Sequence, residues 1–158
     1  MVDVFQPTSI FLNVAPLGRV PVLQLPTGEV LSDSSHIQCY FRMGHGNHPL
    51  FLGGGFTLAQ TLQVSALSGG LMEWTVAAFV ESLRGPGLIN PGNRNEAFEN
   101  IQRTLQVLVR DFRGPFYWGD QMRVSDIDLG VALAYVDLRM GRNIVDAHPV
   151  LRKYLDQL

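Results

Sequence analysis

Leu17-Gly18-Arg19-Val20-Pro21-Val22-Leu23-Gln24-Leu25-Pro26-Thr27-Gly28-Glu29-Val30-Leu31-Ser32-Asp33-Ser34-Ser35-His36-Ile37 decides the fold. Val20 to Leu25 is apolar and rich in β-branched residues, and reads as a strand. Pro26-Thr27-Gly28-Glu29 is a turn, with Gly28 placed to take a positive φ. Val30-Leu31 resumes extended structure, so residues 20–31 read as a β-hairpin. Ser32-Asp33-Ser34-Ser35 offers several N-cap candidates for an apolar helix through Ile37, Tyr40 and Phe41. Pro21 cannot donate to a ladder at the start of a strand. A cis Val20–Pro21 bond is one solution, but cis forms are only about 5–6% of X–Pro bonds, so spacing alone favours trans.

The strand edge at Val20 lies one hairpin away from a helix start at Asp33-Ser34. A helix N-terminus carries unpaired N–H groups and partial positive charge, which suits a carboxylate. Ser34 adds a hydroxyl, and Asp33 an acceptor for an ammonium group. Together they suit a short peptide-like ligand with a free amino-acid end. The plainer reading of the same residues is an ordinary hairpin followed by a capped helix.

Pro16 to Leu23, followed by Gly28 to Ile37, resembles the thioredoxin-like half of the cytosolic glutathione transferases, most closely their bacterial soluble members. The resemblance implies a cis Val20–Pro21 bond. It implies that the Val20 backbone pairs with the cysteinyl part of glutathione, and that Asp33 and Ser34 hold its γ-glutamyl end. Arg19 is placed to meet the glycine carboxylate, or is a surface charge. Glutathione would be the co-substrate and a small hydrophobic electrophile its acceptor. Ala15 and His36 depart from the family pattern, which often has asparagine and a small residue there.

In the family a first strand and helix precede this region, and their junction carries the catalytic serine, tyrosine or cysteine. A βα unit takes roughly 25–30 residues. The region read here begins with the second strand, so no residue is assigned a catalytic role and no class is assigned. Two alternatives follow: a non-catalytic binding or interaction module of the same fold, or a chain read from an internal start. Met1 to Val4 reads as the tail of a strand, and Phe11 to Val14 as a short helical turn or loop.

With 158 residues, 46% hydrophobic and 16% charged, the chain is long enough to bury a core and is not of disordered composition. The net charge of −2, from 12 basic and 14 acidic residues, leaves no basic patch for nucleic acid. A single cysteine, Cys39, excludes an internal disulfide and suits a reducing compartment. It is expected to be buried in the helix after Asp33. No signal peptide or membrane span is legible, so a cytoplasmic location is expected.

Residues 44–57 hold five glycines and a proline, which breaks any periodic pattern. The expected organisation is α+β. Residues 1–46 form a partial thioredoxin-like half (hairpin plus helix), 47–57 a linker and 58–158 an all-helical half. His45 and His48 belong to the loop and are not read as metal ligands, since Gly46 and Pro49 oppose a helix there.

Residues 58–84 read as one long helix, with Leu58, Leu62, Ser65, Gly69, Met72, Val76, Phe79 and Leu83 recurring every three or four positions. Small residues along it would allow close approach of another backbone, either a neighbouring helix or a second subunit. Asn, Pro and Gly at 86–93 form a loop. Phe98, Ile101, Leu105, Leu108 and Phe112 mark a second amphipathic helix. Phe116-Tyr117-Trp118-Gly119-Asp120 is an aromatic turn, expected to anchor a loop on the core. Ser125-Asp126-Ile127-Asp128 reads as a capping box with Ser125 as cap and Asp128 reaching back, and with Val124 and Leu129 as its hydrophobic staple. The uncharged run 129–135 marks a buried helix. Pro149 suits N1 of a last helix packed through Leu151, Tyr154, Leu155 and Leu158. This half resembles the helical domain of the glutathione transferases, which usually continue past the point reached at Leu158. The family resemblance also implies a homodimer.

Overall fold

The computed structural model describes residues 7–51, 58–85 and 87–158. The expected strand tail at 1–4 and part of the expected linker, 52–57, lie outside the described residues. The chain divides into two compact units, Met1–Leu52 and Gly53–Leu158.

The first unit begins with a short helix α1 (Ser9–Val14), where Thr8 Oγ1 accepts from Phe11 N. Strands β1 (Val22–Gln24) and β2 (Val30–Ser32) form an antiparallel pair in the register Val22↔Ser32, Leu23↔Leu31, Gln24↔Val30. The turn between them closes with Leu25 N donating to Glu29 O and Gly28 N to Leu25 O. Gly28 has φ +100°, which suits a residue without Cβ. Helix α2 (Ser34–Gly44) packs on both strands. Neither α1 nor α2 has a fully buried residue; Ala15, between α1 and β1, is buried. Cys39 is exposed, against the expected burial, because none of the described residues of this small unit covers that face of α2.

The second unit is helical: α3 (Leu58–Ser82), α4 (Pro91–Asp111), α5 (Val124–Met140), a single turn α6 (Asn143–Asp146) and α7 (Pro149–Gln157). α3 packs against both α4 and α5, and α6 and α7 close on α5. The core gathers Val64 and Leu71 from α3, Ile101, Leu105 and Leu108 from α4, and Leu129, Leu133 and Val136 from α5, with Leu151 and Tyr154 from α7.

α3 buries Val64, Ser68, Leu71, Thr75, Ala78 and Glu81. That stripe runs one position ahead of the expected one, and Leu58, Leu62, Val76 and Leu83 are exposed. Apolar residues occur all round this helix, so periodicity alone does not choose the face. The buried hydroxyls are satisfied locally: Ser68 Oγ donates to Val64 O at 2.8 Å and Thr75 Oγ1 to Leu71 O at 2.7 Å. Glu81 accepts from Asn90 N (2.6 Å) and Arg84 Nε (3.0 Å), tying the end of α3 to the start of α4. α4 begins earlier than the expected loop end, with Pro91 at N1 and Asn90 Oδ1 accepting from Gly92 N. Phe98 is exposed and Ala97 takes its place in the core.

The cap of α5 lies two residues before the expected one. Arg123 is the N-cap residue and Asp126 stands at N3. Asp126 Oδ2 accepts from Arg123 N at 2.8 Å, and its Oδ1 from Tyr117 N at 2.7 Å and Tyr154 Oη at 2.8 Å. Those distant donors decide the register, which the local Ser-x-x-Asp pattern could not. The expected Val124–Leu129 staple belongs to the register not adopted. The aromatic turn anchors as expected: Tyr117 is buried, edge-on to Phe112 and Trp118, and Phe116 pairs with Gly119. Pro149 starts α7, where Leu151 and Tyr154 are buried, while Leu158 is half-exposed over Gly130.

Candidate functional site

The hairpin brings together the residues singled out at 19–34. Val22 and Ser32 are the outermost paired residues. Immediately beyond them lie Pro21 on one strand and Asp33 on the other, then Val20 and Ser34. The Val20–Pro21 peptide bond is cis, as the family resemblance implied and spacing alone did not. Arg19, Val20, Pro21, Asp33 and Ser34 are all exposed, so this corner of the unit is open to solvent.

Asp33 is the N-cap of α2 and has φ +56°, a left-handed conformation uncommon outside glycine. Asp is among the residues that tolerate it, because a short polar side chain bonds the local backbone. Asp33 Oδ1 accepts from Ser35 N (3.0 Å), His36 N (3.2 Å) and Ser35 Oγ (2.5 Å), and lies 2.9 Å from His36 Nδ1. Bonds from Ser35, then from His36, hold the carboxyl well below the usual carboxylate range. Asp33 is therefore ionised at neutral pH, at the N-terminus of a helix and in a solvent-facing position.

The reading from spacing named Asp33 and Ser34 but not His36, the ring beside the Asp33 carboxylate. His36 stands at N3, where a capping-box Glu or Gln would reach back toward the cap. The Asp-x-x-His spacing was the signal available for it. The other candidates play different parts. His45 follows α2, with its N–H donating to Phe41 O and its ring stacked on Phe41. His48 sets the next turn, with its Nδ1 accepting from Leu50 N. Asp126, at the start of α5, is buried and used structurally. Among the described residues, no group of three or more His, Cys, Asp or Glu side chains is placed to hold a metal ion. Nor is any helix among them long and apolar enough to cross a membrane.

Residues 2–42 match the family model described as the glutathione S-transferase N-terminal domain. More than nine-tenths of the chain matches solved bacterial structures. One is a glutathione S-transferase from Methylobacterium radiotolerans in complex with glutathione sulfonate, with 22% identity and a TM-score of 0.89 over 98% of this chain and 74% of that one. Another is a glutathione S-transferase from Methylobacillus flagellatus with glutathione bound, with 24% identity and a TM-score of 0.88 over 99% and 79%. A glutathione transferase family member from Pseudomonas fluorescens, with bound S-(propanoic acid)-glutathione, shares 28% identity at a TM-score of 0.75 over 91% and 74%. No curated protein sequence matches the chain. The fold is that of the glutathione S-transferases, a partial thioredoxin-like unit followed by an all-helical one, and the resemblance read from residues 16–37 to that family stands.

Proposed function

We propose that the chain binds glutathione at the corner built by Val20, Pro21, Asp33 and Ser34. The observation that carries this reading is the register of the hairpin, which sets an exposed strand edge at Val20–Pro21 opposite an ionised N-cap carboxylate at Asp33. The exposed Val20 backbone offers strand-like pairing to the cysteinyl peptide unit of the ligand. Asp33 holds the α-ammonium. It occupies the N–H groups of Ser35 and His36, so Ser34 N and Oγ take the α-carboxylate at the positive end of α2. Arg19 supplies charge for the glycine carboxylate. That solved neighbours carry glutathione or its derivatives supports the same ligand class.

Beyond binding, the proposed activity is conjugation of the glutathione thiol to a small hydrophobic electrophile, by attack of the thiolate. The proposed working form is a cytoplasmic homodimer, with residues 1–46 and 58–158 as its two domains joined through 47–57. Calorimetry with glutathione tests the binding step. Asp33→Ala is expected to weaken it by about ten- to a hundred-fold, as for loss of a charged hydrogen bond. No binding by the folded chain, or equal binding by the variant, would refute the assignment. A transferase assay with an activated aryl chloride then decides between catalysis and the alternative, a non-catalytic module that binds glutathione without turnover. Sedimentation at micromolar concentration decides the dimer.

A further inference from the structure

We infer that His36 regulates the proposed cradle by competing for Asp33, so that affinity for a ligand's α-ammonium group falls as His36 gains a proton. This deepens the glutathione-binding reading and rests on it. The four donors described around Asp33 converge on one oxygen, Oδ1: Ser35 N, Ser35 Oγ, His36 N and the His36 ring at 2.9 Å. Oδ2 takes none of these bonds and is the oxygen left for an incoming ammonium. The His36 side chain is 73% exposed and that of Asp33 54%, so both face solvent. With His36 neutral, the pair carries one full negative charge. With His36 protonated it carries none, and the ammonium meets an already neutralised carboxylate.

Charge on the ring is the variable. Histidine is the side chain that ordinarily changes charge between about pH 5 and 8, whereas Asp33 stays ionised across that range. β1 and β2, the strands on which α2 packs, carry no ionisable side chain. Glu29 lies in the turn between them, where it accepts from Thr27, and Arg19 precedes β1. On α2 itself Cys39, Tyr40 and Arg42 follow His36, and His45 caps the opposite end. The ion pair described for the His36 ring is to Asp33 alone. A histidine at N3 that served only to brace the helix would leave ligand affinity independent of its charge.

The test uses the full chain and S-methylglutathione, whose capped thiol leaves no ligand group titrating between pH 5.5 and 8. Calorimetry at constant ionic strength is expected to show Kd rising about two- to five-fold from pH 8 to pH 5.5, the size of an exposed charge interaction. In His36→Gln, which retains a donor but takes no proton, and in His36→Ala, the profile is expected to be flat. A flat wild-type profile, or the same rise in both variants, overturns the inference while leaving glutathione binding intact. Absence of binding at every pH overturns both. A readout without substitution is the His36 ring followed by NMR. By reciprocal linkage its titration midpoint moves to lower pH when the ligand saturates the site. A midpoint unmoved by ligand overturns the inference.

Discussion

Asp126 illustrates how much one side chain can organise. Its buried carboxylate accepts from Tyr117 N, Arg123 N and Tyr154 Oη, so it joins the aromatic turn, the start of α5 and the middle of α7. Removing it strands several buried donors, each costing about 1–3 kcal/mol. Asp126→Ala is therefore expected to destabilise the helical unit by more than about 3 kcal/mol in urea unfolding, and Tyr154→Phe by about 1 kcal/mol. A loss below 1 kcal/mol for Asp126→Ala would remove the carboxylate from this role. Burial, with the Asp126 charge adding to it, raises the Tyr154 phenol above its ordinary range, so it donates at every physiological pH. Asp33 behaves differently because it is exposed. Its carboxyl is depressed by Ser35 and then His36, so its contribution to the α2 cap is present above the unfolded value and fades only as pH falls through the lower folded one. Carboxyl NMR is expected to place its midpoint well below the ordinary 3.8; a midpoint at that value would refute the cap geometry.

Among the elements, the junction of α5, α6 and α7 turns on Arg152. Its guanidinium, with the side chain only 14% exposed, reaches Asp137 (2.7 Å), Asp146 (2.6 Å) and Asp156 (3.5 Å). Arg152→Ala leaves the largely buried Asp137 without this partner, whereas Asp146 and Asp156 face solvent and Asp156 also lies 3.9 Å from Arg142, so the loss is expected to be about 1–3 kcal/mol, under the figure for a fully buried pair. Arg152→Lys is expected to recover less than half of that, because a single ammonium cannot reproduce the fork that serves three carboxylates. Full recovery in urea unfolding would show that charge alone suffices. Along α3, Gly69 and Gly70 each have open space where a Cβ would stand. Alanine at either position is expected to stabilise the helix by about 0.5–1 kcal/mol. Destabilisation instead would mean that another surface packs closely on that stripe.

At the scale of the molecule, the two units differ in how they are held. The helical unit has a continuous core from α3 to α7, with Leu71, Ile101, Leu105, Leu129 and Leu133 fully buried. Among its described residues, the first unit has a two-stranded sheet and helices without a fully buried residue; such a hairpin is marginal on its own. Hydrogen exchange is therefore expected to be slowest in α3, α4 and α5 and orders of magnitude faster in β1, β2 and α2. Equal protection in both units would contradict the difference in burial.

What the chain determined by itself is local. Gly28 made the turn, Asp33 the cap of α2, Pro91 and Pro149 the helix starts, and the spacing of Ile101, Leu105 and Leu108 the buried face of α4. Each depends on φ preferences or on bonds and periodicity within a few residues. The proposed cradle was legible for the same reason, since a short hairpin sets Val20–Pro21 against Asp33–Ser34 whatever else surrounds it. Only tertiary structure decided the face that α3 buries, because apolar residues ring that helix and its neighbours α4 and α5 make the choice. The start of α5 was likewise decided from a distance. Ser125 and Asp128 form a sound local pattern, but Asp126 is the carboxylate within reach of Tyr117 and Tyr154, donors 9 and 28 residues away in the chain. Cys39 stayed exposed by the same logic: an apolar helix buries only the face that something else covers.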